Sequence, residues 1–347
     1  QLVTIRDAAE NQWVYDNFSS SGAEQYWIGY TDQTVEGTWV WSSGESSSYT
    51  NWSASQPDNG SNGNGAPQNF ATIGGVYNEK WDDGGDVGGL DFRAILEHTG
   101  PITFYVDGTG NGYYLDIQSA IDGSIDGDTV IVRDGTYYEN INFNGKAITL
   151  KSENGAATTI IDGSQSATVI EFSSGEDANS VIDGFTVQNG SAGVGGGIHC
   201  GSSTAASSPT IRNCVITGNS VTDEGGGIYC TNGSSPPLLN CTVANNYAAG
   251  RGGGLHCNDG SSPIVDSCII SYNTAEIEGG GVWCGNTSSP QFTNCTISDN
   301  IAEVWSGGGV YLFDGAAPVF SYCTISDNNS SIERGGGFSV DSIGTVL

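Results

Sequence analysis

The chain has 347 residues, in which nine Lys and Arg face 39 Asp and Glu for a formal net charge of −30. A surface so poor in cations excludes nucleic acid and anionic membranes as partners, since both demand a positive footprint, and it suits acidic polysaccharides badly. Only 14% of residues are charged, so the acidity comes from missing bases, as in a protein secreted into a salty or calcium-containing medium; no apolar run approaches the roughly 18 residues of a membrane span.

A chain of this length predicts two domains. The front hundred residues open with Leu2-Val3-Thr4-Ile5-Arg6, then Glu10-Asn11 and an amphipathic stretch through Val14. Next come Trp27-Ile28-Gly29-Tyr30, Glu36-Gly37-Thr38-Trp39-Val40-Trp41, Asn51-Trp52, Gln56-Pro57-Asp58, Trp81-Asp82-Asp83 and Ala94-Ile95-Leu96-Glu97. Tryptophans in short β-like runs, with a Gly/Asn/Ser loop between Asp58 and Gln68, describe a small loop-rich domain with a rigid aromatic core.

In order and spacing these segments resemble the C-type lectin-like domain, over residues 1–98. The resemblance implies a calcium-dependent sugar site with ligands at Gln56, Asp58, Gln68, Asp82 and Asp83, the Gln-Pro-Asp form being the one linked to galactose-type sugars. Calcium is a hard ion that takes six to eight oxygens, and a sugar's vicinal hydroxyls can complete its shell. Gln68 stands where the family prefers Glu, and Asp82 where it prefers Asn. The alternative is a lectin-like fold that binds protein or simply packs, with these residues capping loops. The family's usual cysteines are missing: Phe70 stands at one half-bridge position and Leu96 at another. The resemblance also puts a first strand and helix ahead of Leu2, so the chain is expected to begin inside a domain. It is then a piece of a longer polypeptide, or another segment or subunit supplies the missing part.

Residues 99–101 read as a linker. Beyond it lie Ile102-Thr103-Phe104-Tyr105-Val106, Asp128-Thr129-Val130-Ile131-Val132, Ile148-Thr149-Leu150 and Ile160-Ile161-Asp162-Gly163. Ile117, Ala120 and Ile121 have the i, i+3, i+4 spacing of a short helix burying one face. This stretch resembles the opening of pectate-lyase-like right-handed β-helices, in which such a helix caps the first coil.

Six Gly-Gly-Gly triplets follow, starting at Gly195, Gly225, Gly252, Gly279, Gly307 and Gly335, at intervals of 27 to 30 residues. Periods in this range belong to solenoids, whose repeats bury apolar surface against their neighbours. Gly, Asn, Ser and Thr interrupt too often for helical repeats, and short β-branched runs between turn residues predict a parallel β-helix over 102–347. Alternation places Ile198/Cys200, Ile228/Cys230, Leu255/Cys257, Val282/Cys284, Val310/Leu312 and Phe338/Val340 inward. Asn219, Asn246, Asn273, Asn300 and Asn328 are expected to stack coil on coil at a bend, in left-handed geometry. The triplet repeats also look like the Gly-Gly-rich repeats of bacterial surface proteins, including the polymorphic outer-membrane family.

The residues between the inward pairs form an outward column of His199, Tyr229, His256, Trp283 and Tyr311. It reads either as a platform for sugar rings or a partner, or as ladder stacking that stabilises neighbouring coils; exposed aromatic ladders need no ligand, which favours the second. All nine cysteines lie between residues 200 and 323. The spacing never gives Cys-x-x-Cys, which argues against zinc sites. A secreted setting favours disulfides, and the ten-residue loop kept in three of four coils favours same-coil pairs, Cys200–Cys214, Cys230–Cys241, Cys257–Cys268 and Cys284–Cys295, leaving Cys323 free. Cross-coil pairs and a ladder of buried thiols are the alternatives. A lyase would need clustered carboxylates with a basic residue in one groove, whereas Arg133, Arg212 and Arg251 are scattered, and Asp162 and Asp183 sit in Asp-Gly turns.

The sequence therefore predicts a mostly β protein, an α+β C-type lectin-like domain followed by a right-handed parallel β-helix with 27–30-residue coils, open at its C-terminal end. The expected role is extracellular or cell-surface adhesion and carbohydrate recognition, with glycans or surface proteins as partners, calcium as cofactor and no catalytic residues. A subunit of an extracellular filament or surface assembly is the second reading, with self-association or a longer native chain covering the open ends. A polysaccharide-active enzyme is the third.

Overall fold

The computed structural model describes residues 2–19, 25–58, 68–74, 79–84, 93–94, 100–110, 112, 114–331 and 335–341. They divide into two compact units, Gln1–Thr99 and Gly100–Leu347. Among the described residues no helix is long and apolar enough to cross a membrane.

In the first unit, Asp7 caps helix α1 (Ala8–Val14) by accepting the Glu10 N–H at 2.9 Å, and the helix buries Asn11 and Val14. An N-cap carboxylate satisfies an amide that the helix leaves free. Strand β1 (Gln25–Thr31) is central. It pairs antiparallel with β2 (Val40–Trp41) and β3 (Phe70–Gly74), and parallel with β5 (Arg93–Ala94); β3 pairs antiparallel with β4 (Trp81–Gly84). The core gathers Ile5, Ile28, Trp41, Ile73 and Trp81. Phe70, at one of the missing cysteine positions, meets the Trp27 ring edge-on at 5.4 Å, an aromatic contact in place of a bridge. Leu96 and Glu97 lie outside the described residues.

The second unit is a parallel β-helix. Four sheets run along it, each built of strands from successive coils. The first contains nine strands from Thr103–Val106 to Val319–Ser321, and the second eight from Gly135–Tyr138 to Thr324–Ser326. The third contains eight from Ile141–Asn142 to Phe338–Val340. A fourth, of six short strands, begins only at Ser191–Ala192 and ends at Asn329–Ser330. Like residues stack in register: Ile198, Ile228, Leu255, Val282, Val310 and Phe338 follow one another up the third sheet. The first five of these side chains are fully buried, each contributing on the order of 1.5–3 kcal/mol. Helix α2 (Ile117–Gly123) buries Ile117, Ala120 and Ile121 against the first coils. The carboxylate of Glu139 accepts the Ile117 and Gln118 N–H groups at 2.8 and 2.9 Å, holding the start of α2. The expected open C-terminal end falls on residues 342–347, outside the described residues.

The triplets are glycine because two constraints meet there. Gly225 has φ +71°, which L side chains rarely adopt, and a Cβ on Gly226 would stand 2.5 Å from the Tyr247 carbonyl oxygen and 2.6 Å from that of Gly253. Coil-to-coil hydrogen bonds tie the triplets together, as from Gly226 N to Gly252 O at 3.1 Å. The asparagine ladder also forms. Asn219, Asn246, Asn273 and Asn300 are buried, and each donates its Nδ2 to the next asparagine's Oδ1 at 2.9–3.0 Å. The left-handed residue is not the ladder asparagine, however, but the one before it: Gly218, Asn245, Tyr272, Asp299 and Asp327. That residue turns the corner so that the asparagine can point inward.

The cysteines correct the disulfide expectation. All nine are free thiols. Cys200, Cys230, Cys257 and Cys284 stack in register up the third sheet. Cys214, Cys241, Cys268, Cys295 and Cys323 form a second ladder at the corner between the first two sheets. The two members of each expected same-coil pair therefore sit on different walls. A cysteine's hydrogen-bonding sulfur neighbours belong to adjacent coils, as Cys200 and Cys257 do for Cys230. Cys packs here as a small buried hydrophobe.

Candidate functional site

In the first unit, rings from separate segments converge on Trp81. Trp41, Trp52, Tyr49 and Tyr30 all lie 5.7–5.8 Å from it, and Trp39 stands 4.7 Å from Trp52. Trp81 is fully buried, and its Nε1 donates to Asn11 Oδ1 at 2.6 Å. The segment before Gln56 is laced to the same strand: Trp81 N bonds Asn51 O at 2.9 Å and Ser53 N bonds Trp81 O at 2.8 Å. Packing thus fixes the backbone leading into Gln56-Pro57-Asp58 beside the strand that carries Asp82 and Asp83. The Gln56–Pro57 peptide is cis, and Gln56 Oε1 accepts the Asp58 N–H at 3.0 Å.

Within this corner the carboxylates sense one another. Burial, then the negative charges of Asp83 and Asp58, pushes the Asp82 carboxyl up to about 6, against a hydrogen bond from Gln25 that acts the other way. Asp83 is fully buried on β4, opposite Ala71. Gln68 is half-buried, and its Oε1 has no hydrogen-bond partner among the described residues. Crowded like charges and an unmet carbonyl oxygen are what a bound cation would relieve. The donor set Gln56, Asp58, Gln68, Asp82 and Asp83 is all oxygen, as a hard divalent ion prefers. It therefore fits calcium chemically, although among the described residues no group of three or more His, Cys, Asp or Glu stands ready-made as a metal cluster.

The column on the β-helix is formed and largely closed, with His199 and Tyr229 half-buried and the later members buried. His199, Tyr229 and His256 follow one another with ring centroids 5.3 and 5.1 Å apart, and His256 stacks on Trp283 at 4.3 Å and 11°. His256, Trp283 and Tyr311 are only 0%, 4% and 7% exposed, so an open platform is absent there. An ionic ladder accompanies them: Arg251, one coil from each partner, donates Nη1 to Glu224 and Nε to Glu278, both at 3.1 Å. The Arg251 guanidinium lies 5.8 Å from the Trp283 ring. These three charged residues each precede a triplet, so their 27-residue spacing is a signal available in the sequence. Burial pushes the His256 imidazole down to about 3 and raises the Glu224 carboxyl.

The remaining charged candidates are engaged structurally. Arg133 pairs with Asp107 at 2.8 Å and Arg212 with Asp183 at 3.0 Å. Asp162 accepts from Gln188, Asn189 and the Ser164 N–H across a turn.

Comparison with known proteins matches residues 1–84 to the family described as Lectin C-type domain, and residues 176–345 to that described as Right handed beta helix region. Lectin BRA-3 from Megabalanus rosa is 35% identical over 82 residues, covering 24% of this chain and 46% of that protein. Perlucin-like protein from Mytilus galloprovincialis is 35% identical over 85 residues, covering 24% of this chain and 51% of that protein. The chain thus spans about half the length of these curated relatives. Among solved structures, the human scavenger receptor C-type lectin carbohydrate-recognition domain is 38% identical, with 24% of this chain and 63% of that one covered and a TM-score of 0.22.

Proposed function

We propose that this chain, which joins a C-type lectin-like domain to a right-handed parallel β-helix, recognises carbohydrate outside the cell, with the β-helix as the stalk that presents the lectin-like head. The observation that carries the reading is the raised Asp82 carboxyl, which burial and the charges of Asp83 and Asp58 push up, together with the unmet Gln68 Oε1. Gln56, Asp58, Gln68, Asp82 and Asp83 are assigned as the residues that would hold calcium. The ion would supply a coordination partner for two neighbouring sugar hydroxyls. The chain's own part is to keep these oxygens in place, which the Trp52 and Trp81 packing does, and to leave Asp82 ionised at neutral pH.

The role assigned to the protein is adhesion rather than catalysis. The described arginines of the β-helix that lie near carboxylates are committed to ion pairs, which leaves none of them free as the base of a lyase-type groove.

Calorimetric titration of the metal-free chain with calcium, followed by a glycan array with and without EDTA, tests this. We expect calcium heat, lost in Asp83→Ala, and galactose-type glycans retained only with calcium. Absence of both calcium heat and glycan retention would overturn the reading.

A further inference from the structure

A cleft of about 400 Å³, a volume that suits small-molecule sites, opens on the outside of the first coils of the β-helix unit. One wall is the strand Gly135–Tyr138, which alternates so that Tyr137 is buried while Thr136 and Tyr138 stay outside. The other wall is the segment between Thr103–Val106 and α2. It turns at Asp107, where Gly110 N bonds Asp107 O at 3.0 Å, and enters the helix through Leu115 and Asp116. A Cβ on Gly108 or Gly135 would stand 3.9 or 3.5 Å from the Tyr137 ring, so the two glycines and that ring make the floor.

Two large apolar side chains line this cleft and are left to solvent: Leu115 is 62% and Tyr138 74% exposed. Scattered exposed apolar residues need no explanation, but two on the walls of one concave site do. The polar atoms beside them are open and unpaired. Asp116 accepts the Ser119 N–H through Oδ1, and Asp134 accepts from Asn154 and Thr158 through its own Oδ1. The Oδ2 of each, and the hydroxyls of Thr136 and Tyr138, make no hydrogen bond among the described residues. All four residues keep open surface, Asp116 being half-buried and Asp134, Thr136 and Tyr138 exposed.

These walls select the ligand. Asp116, Asp134 and Glu139 line the cleft with no Lys or Arg among its lining residues, so an anion is repelled. Glu139 already accepts two backbone N–H groups, which leaves Asp116 and Asp134 as the acceptors on offer. A wholly apolar ligand would strip water from those two carboxylates and return nothing. A bare metal ion would leave Leu115 and Tyr138 uncovered. A neutral sugar meets all of these conditions: its hydroxyls donate to the carboxylates while a ring face of C–H groups covers the tyrosine and leucine.

We infer that this cleft binds a neutral sugar residue, with Tyr138 and Leu115 against the sugar's apolar face and Asp116 and Asp134 accepting from its hydroxyls. It shares no residue with the calcium-type site of the lectin-like unit and needs no divalent cation, so working with the full chain in EDTA isolates it.

The measurement is saturation-transfer NMR in EDTA with methyl galactoside, methyl mannoside, methyl glucoside, N-acetylglucosamine and xylose, and with glucuronate as the anionic counterpart. At least one neutral sugar should receive saturation, and glucuronate should bind roughly tenfold more weakly. Tyr138→Ala removes an exposed ring and leaves the core intact; it should lower the neutral sugar's affinity roughly tenfold, and Leu115→Ala roughly threefold. Tyr322→Ala, which removes a tyrosine 90% exposed elsewhere on the β-helix, should leave the affinity unchanged. Absence of transfer to every neutral sugar would overturn the inference. So would an affinity that survives Tyr138→Ala, glucuronate binding as tightly as the neutral sugars, or an equal loss in Tyr322→Ala.

Discussion

The two units of this chain bury their interiors by opposite routes. In the β-helix most buried positions repeat the kind of residue beneath them: aliphatic over aliphatic, cysteine over cysteine, asparagine over asparagine. In the lectin-like unit nothing repeats, and Tyr30, Trp41, Tyr49, Trp52 and Trp81 arrive from five separate places to make one aromatic centre. A ladder is tolerant along its length but rigid within a rung, because each rung has backbone immediately above and below it. A convergent core instead fixes the loops that radiate from it, which is where a binding site needs fixed geometry.

Rung rigidity predicts the largest effect. At Gly226 an added Cβ meets carbonyl oxygens of the next coil at 2.5 and 2.6 Å, and backbone cannot step aside as a side chain would. Gly226→Ala should cost about 3 kcal/mol and separate the unfolding of coils on either side of it. Gly233→Ala, where φ is +77° but the surrounding space is open, should cost only about 1 kcal/mol. Urea unfolding of the two variants is the comparison, and equal costs would show that the triplets are not close-packed.

Repetition also decides what can be read from sequence. A pattern seen in five coils fixes the inward positions, so the cores of Ile228/Cys230 and Leu255/Cys257 are legible from spacing alone. The left-handed corner is displaced by one residue from the expected ladder asparagine, because sequence spacing does not say which of two adjacent residues turns. Same-coil disulfides fail for a related reason: ten residues between Cys230 and Cys241 are enough to pass from one wall to another. The aromatic column is legible as a stack on one face, yet its burial goes with the ionic ladder of Glu224, Arg251 and Glu278, which a search for apolar periodicity passes over. In the lectin-like unit Asp82 and Asp83 are nominated by resemblance alone. Their environment comes from Trp52 pairing beside Trp81, a contact across 29 residues that no local pattern carries.

A pH series sharpens the contrast, since the two units hold groups shifted in opposite senses. Buried His256 stays neutral down to about 3, whereas in the unfolded chain it takes a proton near 6.5. Its contribution is therefore present above 6.5 and drains as the pH falls toward 3, by up to about 1.4 kcal/mol per pH unit. Asp82 runs the other way. Its folded value of about 6 lies above the unfolded value of 3.8, so metal-free stability is favoured below 3.8 and lost as pH rises through 6. Scanning calorimetry in EDTA, at pH 5 and 7, should show the gap between wild type and His256→Phe changing with pH in the β-helix transition. The gap between wild type and Asp82→Asn should change with the opposite sign in the other transition. Gaps independent of pH would remove both assignments.

The smallest effect concerns the thiols, and it separates the units by chemistry rather than stability. The lectin-like unit has no cysteine, while the β-helix has nine. Eight of them are buried and Cys323 alone is half-buried, its Sγ donating only to Ser321 O at 3.3 Å. A thiolate must reach solvent to react, and burial keeps the other eight from doing so. Alkylation of the folded chain should therefore mark Cys323 first and leave every peptide of residues 1–98 untouched. Cys323→Ser should change stability by no more than about 0.5 kcal/mol. In denaturant all nine should react, whereas same-coil disulfides would leave Cys323 as the single reactive thiol. A denatured count of one would therefore restore the bonded arrangement and replace the packed ladder of thiols with a covalent one.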